Sequence, residues 1–234
     1  METVSKPGKS GTWTRSLLRC GLAAGPAFVA VFLTEGAVRE GYRPLRHPVS
    51  SLALGSRGWV QTGNFAVTGA LMLAGAAGLY RAAGRSGAAD PADVGRAGSA
   101  LIGAAGAGLL ASASFVTDPV SGYPPGTPEA IEHPSRTGTL HNLSAIPVFL
   151  GLPAAALTAG RRSWRGGQRG FGLYSAGTAV VMLAAVVLAS AGFGQAPRLV
   201  NLGGLFQRVS IMTGFAWLTT VSARTLRRAL CPRE

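Results

Sequence analysis

The sequence predicts an all-α fold, a polytopic membrane bundle of six transmembrane helices. Three observations predict it. Only 13% of the 234 residues are charged, against ~25% in an ordinary soluble domain. Those charges sit between long uncharged runs. Six such runs reach the ~20 residues that carry a helix across a ~30 Å hydrocarbon layer. Helix is the form they must take, because a strand edge in lipid leaves backbone groups unpaired.

The runs follow in order. Residues 1–16 are polar and read as a flexible cytoplasmic tail. The first span covers 17–34, with Pro26 and a Gly21-xxx-Gly25 step inside it. No convincing cleavage site follows, so it is read as a retained span. The second covers 59–80, the third 97–116 and the fourth 140–159, which contains Pro147 and Pro153. These two prolines should bend the helix and free carbonyls beside His141. The fifth span covers 171–193 and the sixth 205–223, within a membrane domain of 17–223; residues 224–234 form a short basic tail. Small residues recur four apart at Thr62, Ala66, Ala70, Ala74 and Gly78, and again at Gly95, Ser99, Gly103, Ala107 and Ala111. Such stripes let helix backbones approach closely in lipid.

The net charge is +13. The basic residues flank apolar runs and do not interleave with aromatics, so anionic headgroups explain them and nucleic acid does not. With the N-terminus inside, fifteen of the 22 Lys and Arg fall in cytoplasmic segments. Both termini are therefore expected in the cytoplasm. The first outer loop, with Arg39, Arg43, Arg46 and Arg57, runs against that bias. Cys20 and Cys231 lie near opposite ends and make no disulfide framework. The C-terminal Cys-Pro-Arg-Glu lacks the aliphatic residues of a prenylation box.

The span ends suggest an internal repeat. Odd spans end Phe32-Leu33-Thr34-Glu35, Phe115-Val116-Thr117-Asp118 and Phe193-Gly194-Gln195. Even spans open Gly58-Trp59-Val60-Gln61, Gly138-Thr139-Leu140-His141 and Gly204-Leu205-Phe206-Gln207. Three two-helix hairpins in one orientation would produce this pattern. Each helix then carries a polar side chain at the outer level: Glu35, Gln61, Asp118, His141, Gln195 and Gln207. Asn64, Asn142 and Arg208 lie beside them. Polar groups at that depth must pair or meet water, so these nine are expected to line an outward-facing polar pocket. Arg208, inside the outer leaflet, would need an anion there, with Asp118 or Glu35 as the candidates.

The chemistry these residues could carry is limited. His47, His133 and His141 all fall on the outer side, but nothing has the spacing of a His-Glu-x-x-His zinc site; no metal or other cofactor is assigned. Asp118, His141 and Ser144 are the candidate catalytic residues. Ser50 and Ser51 qualify only within reach of His141. Against a nucleophilic role, Ser144 is placed to bond back to its own helix, and no Gly-x-Ser-x-Gly elbow occurs. For His141 the plainer role is a helix-start bond to Asp118. The loop Ser121-Gly122-Tyr123-Pro124-Pro125-Gly126-Thr127-Pro128 is stiff and suits a rigid connector or a lid.

The blocks HPVSSLALGSRGWVQTGNFAVTGALMLAGAAGLYR, FVTDPVSGYPPGTP, GTLHNLSAIPVF and GLFQRVSI resemble the DUF998 family of bacterial and archaeal integral membrane proteins. The resemblance extends over 17–223. It implies a multi-pass protein of the cell membrane and carries over no catalytic residue. Three functions fit: binding or moving a small polar or lipid-like ligand; an intramembrane lipid hydrolase or transferase using Asp118 and His141; or an accessory subunit whose polar groups only fix packing. Whether the protein is an enzyme stays open at this level.

Overall fold

A computed structural model of the chain describes residues 9–85 and 94–230. The expected tails fall partly outside these residues. Within them, α1 begins at Lys9 and the last helix runs to Leu230, so both flanks of the membrane domain are helical.

The described residues form helices α1 Lys9–Val38, α2 Gly58–Arg85, α3 Gly95–Ser114, α4 Arg136–Ile146, α5 Leu152–Arg165, α6 Arg169–Phe193 and α7 Gly203–Leu230. A 3₁₀ turn, Val49–Ala53, lies in the first long loop, and a π-helical turn, Pro147–Gly151, joins α4 to α5. No strand occurs among the described residues. Successive helices pack on one another, except α4 and α5, which run end to end through the π turn, and α7 closes the ring against α1. On one side Arg15 donates to the Ala229 carbonyl (2.7 Å), joining the start of α1 to the end of α7.

Five passes are long and apolar enough to cross a membrane: Gly11–Val38, Gly58–Gly84, Gly95–Ser114, Arg136–Arg165 and Arg169–Phe193. The chain is thus a helical bundle of the multi-pass membrane type. The α4–α5 pair is a single pass. Helix α7 is as long as α2 but less apolar, since it turns Arg208, Ser210, Ser222 and Thr225 inward. It also supplies Phe215, Trp217, Leu218 and Val221 to the core. Outward, Val67, Leu150, Leu173, Val180 and Val187 are more than half exposed. A row of bare aliphatics on this scale is stable against hydrocarbon and not against water.

Helix crossings occur where glycines remove the Cβ. A Cβ at Gly75 would lie 2.5 Å from the Gly21 Cα, and one at Gly69 would lie 2.7 Å from the Gly106 carbonyl. Gly25 meets the Phe215 carbonyl in the same way. The Gly21-xxx-Gly25 step is therefore used. The other two stripes are used in part: Gly78 meets Leu17 and Leu18 of α1, and Gly95 and Ser99 are buried, but Gly69, Gly75 and Gly106 make further crossings while Ala70 and Ala107 face outward. On an Ala/Gly-rich helix several faces share the four-residue spacing, and only packing selects among them.

Candidate ligand cleft

One end of the bundle, the end expected to face outward, is a cap built from two loops. Residues 39–57 and 115–135 meet through three stacked rings. Tyr42 and Tyr123 lie edge to face at 5.2 Å, and His47 sits against both. All three are buried. The His47 Nδ1 accepts the Arg43 N–H (2.9 Å), so the proton is on Nε2, which donates to the Ser121 carbonyl (3.1 Å). Burial, and then the Arg46 charge, push its pKa down to about 4. Glu129 completes the cap. Its carboxylate takes Arg46, and its carbonyl accepts from Ser121 N–H (2.8 Å) and Gln195 Nε2 (2.7 Å). The loop predicted to be stiff is thus tied down at several points.

Helix α7 starts under this cap. The N–H groups of Gly204 and Leu205 donate to the carbonyls of Arg46 and Leu45. A Cβ at Gly204 would strike the Pro44 and His47 carbonyls at 2.5 Å, so only glycine allows this approach. One turn on, Arg208 enters the same nest of oxygens. Its Nη1 donates to Pro44, His47 (3.1 Å) and Gly204 (3.0 Å) carbonyls, and its Nη2 to the Tyr42 hydroxyl. The rings of Phe32 and Tyr42 flank it at 5.7 and 5.6 Å. Arg208 therefore meets neither Asp118 nor Glu35. Backbone carbonyl dipoles and ring faces solvate the cation in place of a carboxylate. Burial raises the Tyr42 hydroxyl above its ordinary pKa, with Arg208 pulling the other way.

The other expected pocket residues separate into local groups. Glu35 is buried and paired with Arg39 (2.8 Å) and Arg57 (2.5 Å). Gln61 and Asn64 lie on α2 toward α1, where Asn64 donates to the Phe28 carbonyl (3.2 Å) and to Gln61 Oε1 (3.4 Å). The Gln61 Nε2 is buried without a hydrogen-bond partner among the described residues. Asp118 accepts the Ser135 N–H (3.0 Å), and the Ser135 hydroxyl accepts from Gly138 N–H, so together they cap α4. His141 is buried on α4 and its Nδ1 donates to the Phe115 carbonyl (2.8 Å). Among the described residues no hydrogen bond joins Asp118 to His141. Ser144 bonds back to the Leu140 carbonyl (2.7 Å), as its helical position suggests. No three His, Cys, Asp or Glu side chains cluster as metal ligands among the described residues.

His141, Asn142 and Gln207 do converge. They line a cavity of about 300 Å³ between α4 and α6. Its inner wall is apolar: Phe28, Phe65, Leu109, Phe149, Ile211 and Phe215. A second cavity, of about 510 Å³, continues it outward under Val120, Ala130 and Ile131 of the cap. Ser50, Asn142, Ser190, Phe193 and Gln207 line both, so the two are one cleft with a polar waist.

The gap has a local cause. Pro147 and Pro153 lack the N–H groups that an α-helix needs one turn earlier, and the chain widens into the π turn between them. Before the turn, α4 packs on α3, with the Ser144 carbonyl and Pro147 pressed against Gly108. After it, α5 packs on α6, with Gly160 against Gly172. The outer half of this pass therefore leans away from α6. The expected widening beside His141 is present. Ser50, considered above only as a nucleophile, joins the lining, as do Ala145 of α4 and Phe149 of the π turn; sequence reading missed those two because apolar side chains give no sign of facing a cavity.

Fold and site together define a multi-pass helical membrane protein with a cleft between α4 and α6 beside its loop cap. The chain matches the DUF998 family, described as a protein of unknown function, over residues 22–224, and it belongs to that family. No curated protein and no solved structure matches it.

Proposed function

We propose that this protein binds a lipid-like amphiphile in the cleft between α4 and α6, from the outer leaflet of the cell membrane. In this reading α7 is a sixth span and both termini are cytoplasmic. The arginines on the α5–α6 turn and at the end of α7 then meet anionic headgroups of the inner leaflet.

One observation carries the reading: a largely apolar cleft of ~300 Å³ between α4 and α6, whose facing residues Asn142 and Ser190 are exposed. Its volume falls at the lower end of ligand pockets, ~300–1,000 Å³. The helices that flank it present Leu143 and Ile146 on one side and Val187 on the other, all exposed. A mouth between lipid-facing residues admits a hydrocarbon chain without taking it through water. Aromatic walls suit such a chain, and the polar waist suits one headgroup. Asp118 and His141 are each bonded elsewhere, so the geometry favours holding a ligand over hydrolysing one.

Mass spectrometry of the intact protein released from native membrane tests this. The wild type should retain a lipid. Ala145→Trp and Ser190→Phe fill the cleft from its two walls and should release that lipid while thermal stability changes little. Retention of the same lipid by both folded variants would overturn the reading.

A further inference from the structure

We infer that the ligand of this cleft carries an uncharged polar head, a hydroxyl or carbonyl group rather than a phosphate. This rests on the lipid-binding reading above and names the ligand class. No Asp, Glu, Lys or Arg lines either cavity. Among the cations of the surrounding cap, Arg43 is exposed and lines neither cavity, and four others are engaged. Arg208 is enclosed by carbonyls, Arg46 holds Glu129 and Asn201, and Arg39 and Arg57 hold Glu35. A phosphate drawn into the waist would lose its hydration and gain no counter-charge.

What the waist does offer is neutral and unused. Gln207 spends its Oε1 on the Val49 N–H (2.7 Å), which turns its Nε2 donor toward the cleft. Asn142 and the Ser50 hydroxyl line both cavities and make no side-chain hydrogen bond among the described residues. Two amides and a hydroxyl recognise an ester carbonyl or an alcohol by neutral hydrogen bonds. They stand where the apolar inner cavity meets the cap, the level at which a buried chain ends and a head begins.

Competition on purified protein in neutral detergent tests the assignment. The probes are a medium-chain 1-monoacylglycerol and an alkyl phosphate of equal chain length. Wild type should bind the monoacylglycerol at least about tenfold more tightly, a difference of the size that a few neutral hydrogen bonds supply. Gln207→Glu keeps the acceptor for Val49 and replaces the donor with a carboxylate. Asn142→Asp does the same at an exposed position with no protein partner. Each should cut monoacylglycerol binding several-fold, and Asn142→Arg should create alkyl phosphate binding. Equal or tighter binding of the alkyl phosphate by wild type overturns the uncharged-head assignment and leaves lipid binding standing. Binding of neither probe overturns both. If Gln207→Glu fails to fold, unchanged monoacylglycerol affinity in Asn142→Asp and in Ser50→Ala is the overturning result.

Discussion

Gln207 accepts the buried N–H of Val49 through Oε1 at 2.7 Å, tying the first turns of α7 to the 3₁₀ turn of the first outer loop. This one bond holds a wall of the cleft and aims the remaining amide group into it. Gln207→Leu leaves the Val49 N–H unpaired and should cost about 1–3 kcal/mol. Gln207→Glu, which keeps the acceptor, should cost less. Thermal unfolding in detergent, followed by intrinsic fluorescence, checks the order.

Glu35 sits buried between two arginines of very different exposure. The Arg39 side chain is 9% exposed and the Arg57 side chain 56%. Removing a partner from a buried pair costs far more than removing one from a surface pair. Glu35→Ala should therefore destabilise more, by about 1–3 kcal/mol, since it leaves the buried Arg39 with only the Leu52, Leu54 and Arg57 carbonyls. Arg57→Ala should cost no more than about 1 kcal/mol. A chemical denaturation series on both variants decides; similar losses would contradict this account.

Arg208 makes the loop of residues 43–49 dependent on one guanidinium. Arg208→Lys keeps the charge but not the planar fork that reaches carbonyls and the Tyr42 hydroxyl together. Hydrogen exchange at 43–49 and at the start of α7 should rise by an order of magnitude or more in Arg208→Lys. Exchange in α5 should stay unchanged.

The cap should lose stability in mild acid. His47 is held neutral, with a pKa of about 4 in the folded state against an ordinary value of 6.5. Between these values the unfolded chain binds a proton that the folded chain refuses. The contribution is thus complete above pH 6.5 and falls as pH drops through 4, by a total on the order of 1–3 kcal/mol. His47→Gln can still donate to Ser121 and should flatten the profile between pH 6.5 and 4. A separate control, Glu129→Gln, removes the Arg46 partner and leaves the hydrogen bonds of His47 in place.

Gly138 has no room for a side chain, because a Cβ there would lie 2.0 Å from Asp118 Oδ2. Gly138→Ala must push the carboxylate off the start of α4. Asp118→Ala and Gly138→Ala should therefore lose a similar amount, about 1 kcal/mol for a lost cap, and the double variant should lose little more. Additive losses in a double-mutant cycle would show that the two do not share one interaction.

Much of the architecture was readable from residue order alone. Apolar length located five passes and the helix α7, which is less apolar than the span expected there, and Pro147 with Pro153 located the bend, because both follow from local chemistry. The pairing of polar groups was not readable in the same way. Glu35 had two arginines within 22 residues, yet Arg208 was the more conspicuous partner by its place inside a helix. What settles such choices is loop conformation. Residues 44–47 turn their carbonyls toward α7 because Gly204 lets them approach, and backbone oxygens leave no mark in a sequence. His141 found a carbonyl in the same way, that of Phe115, rather than the nearby carboxylate. The cleft lining was legible at His141, Asn142 and Gln207. Its apolar wall was not, because cavity-facing and lipid-facing aliphatics look alike.

The π turn at Pro147–Gly151 has an arithmetic consequence. One surplus residue rotates everything beyond it by about 100° around the axis. Both halves of this pass keep α3 as a neighbour, but only the half beyond the added step packs on α6. Delete one residue from that turn and the phase is restored: α4 would swing into line with α5 and seal against α6. With Leu150 as the residue removed, the chain would keep every lining side chain and have no door.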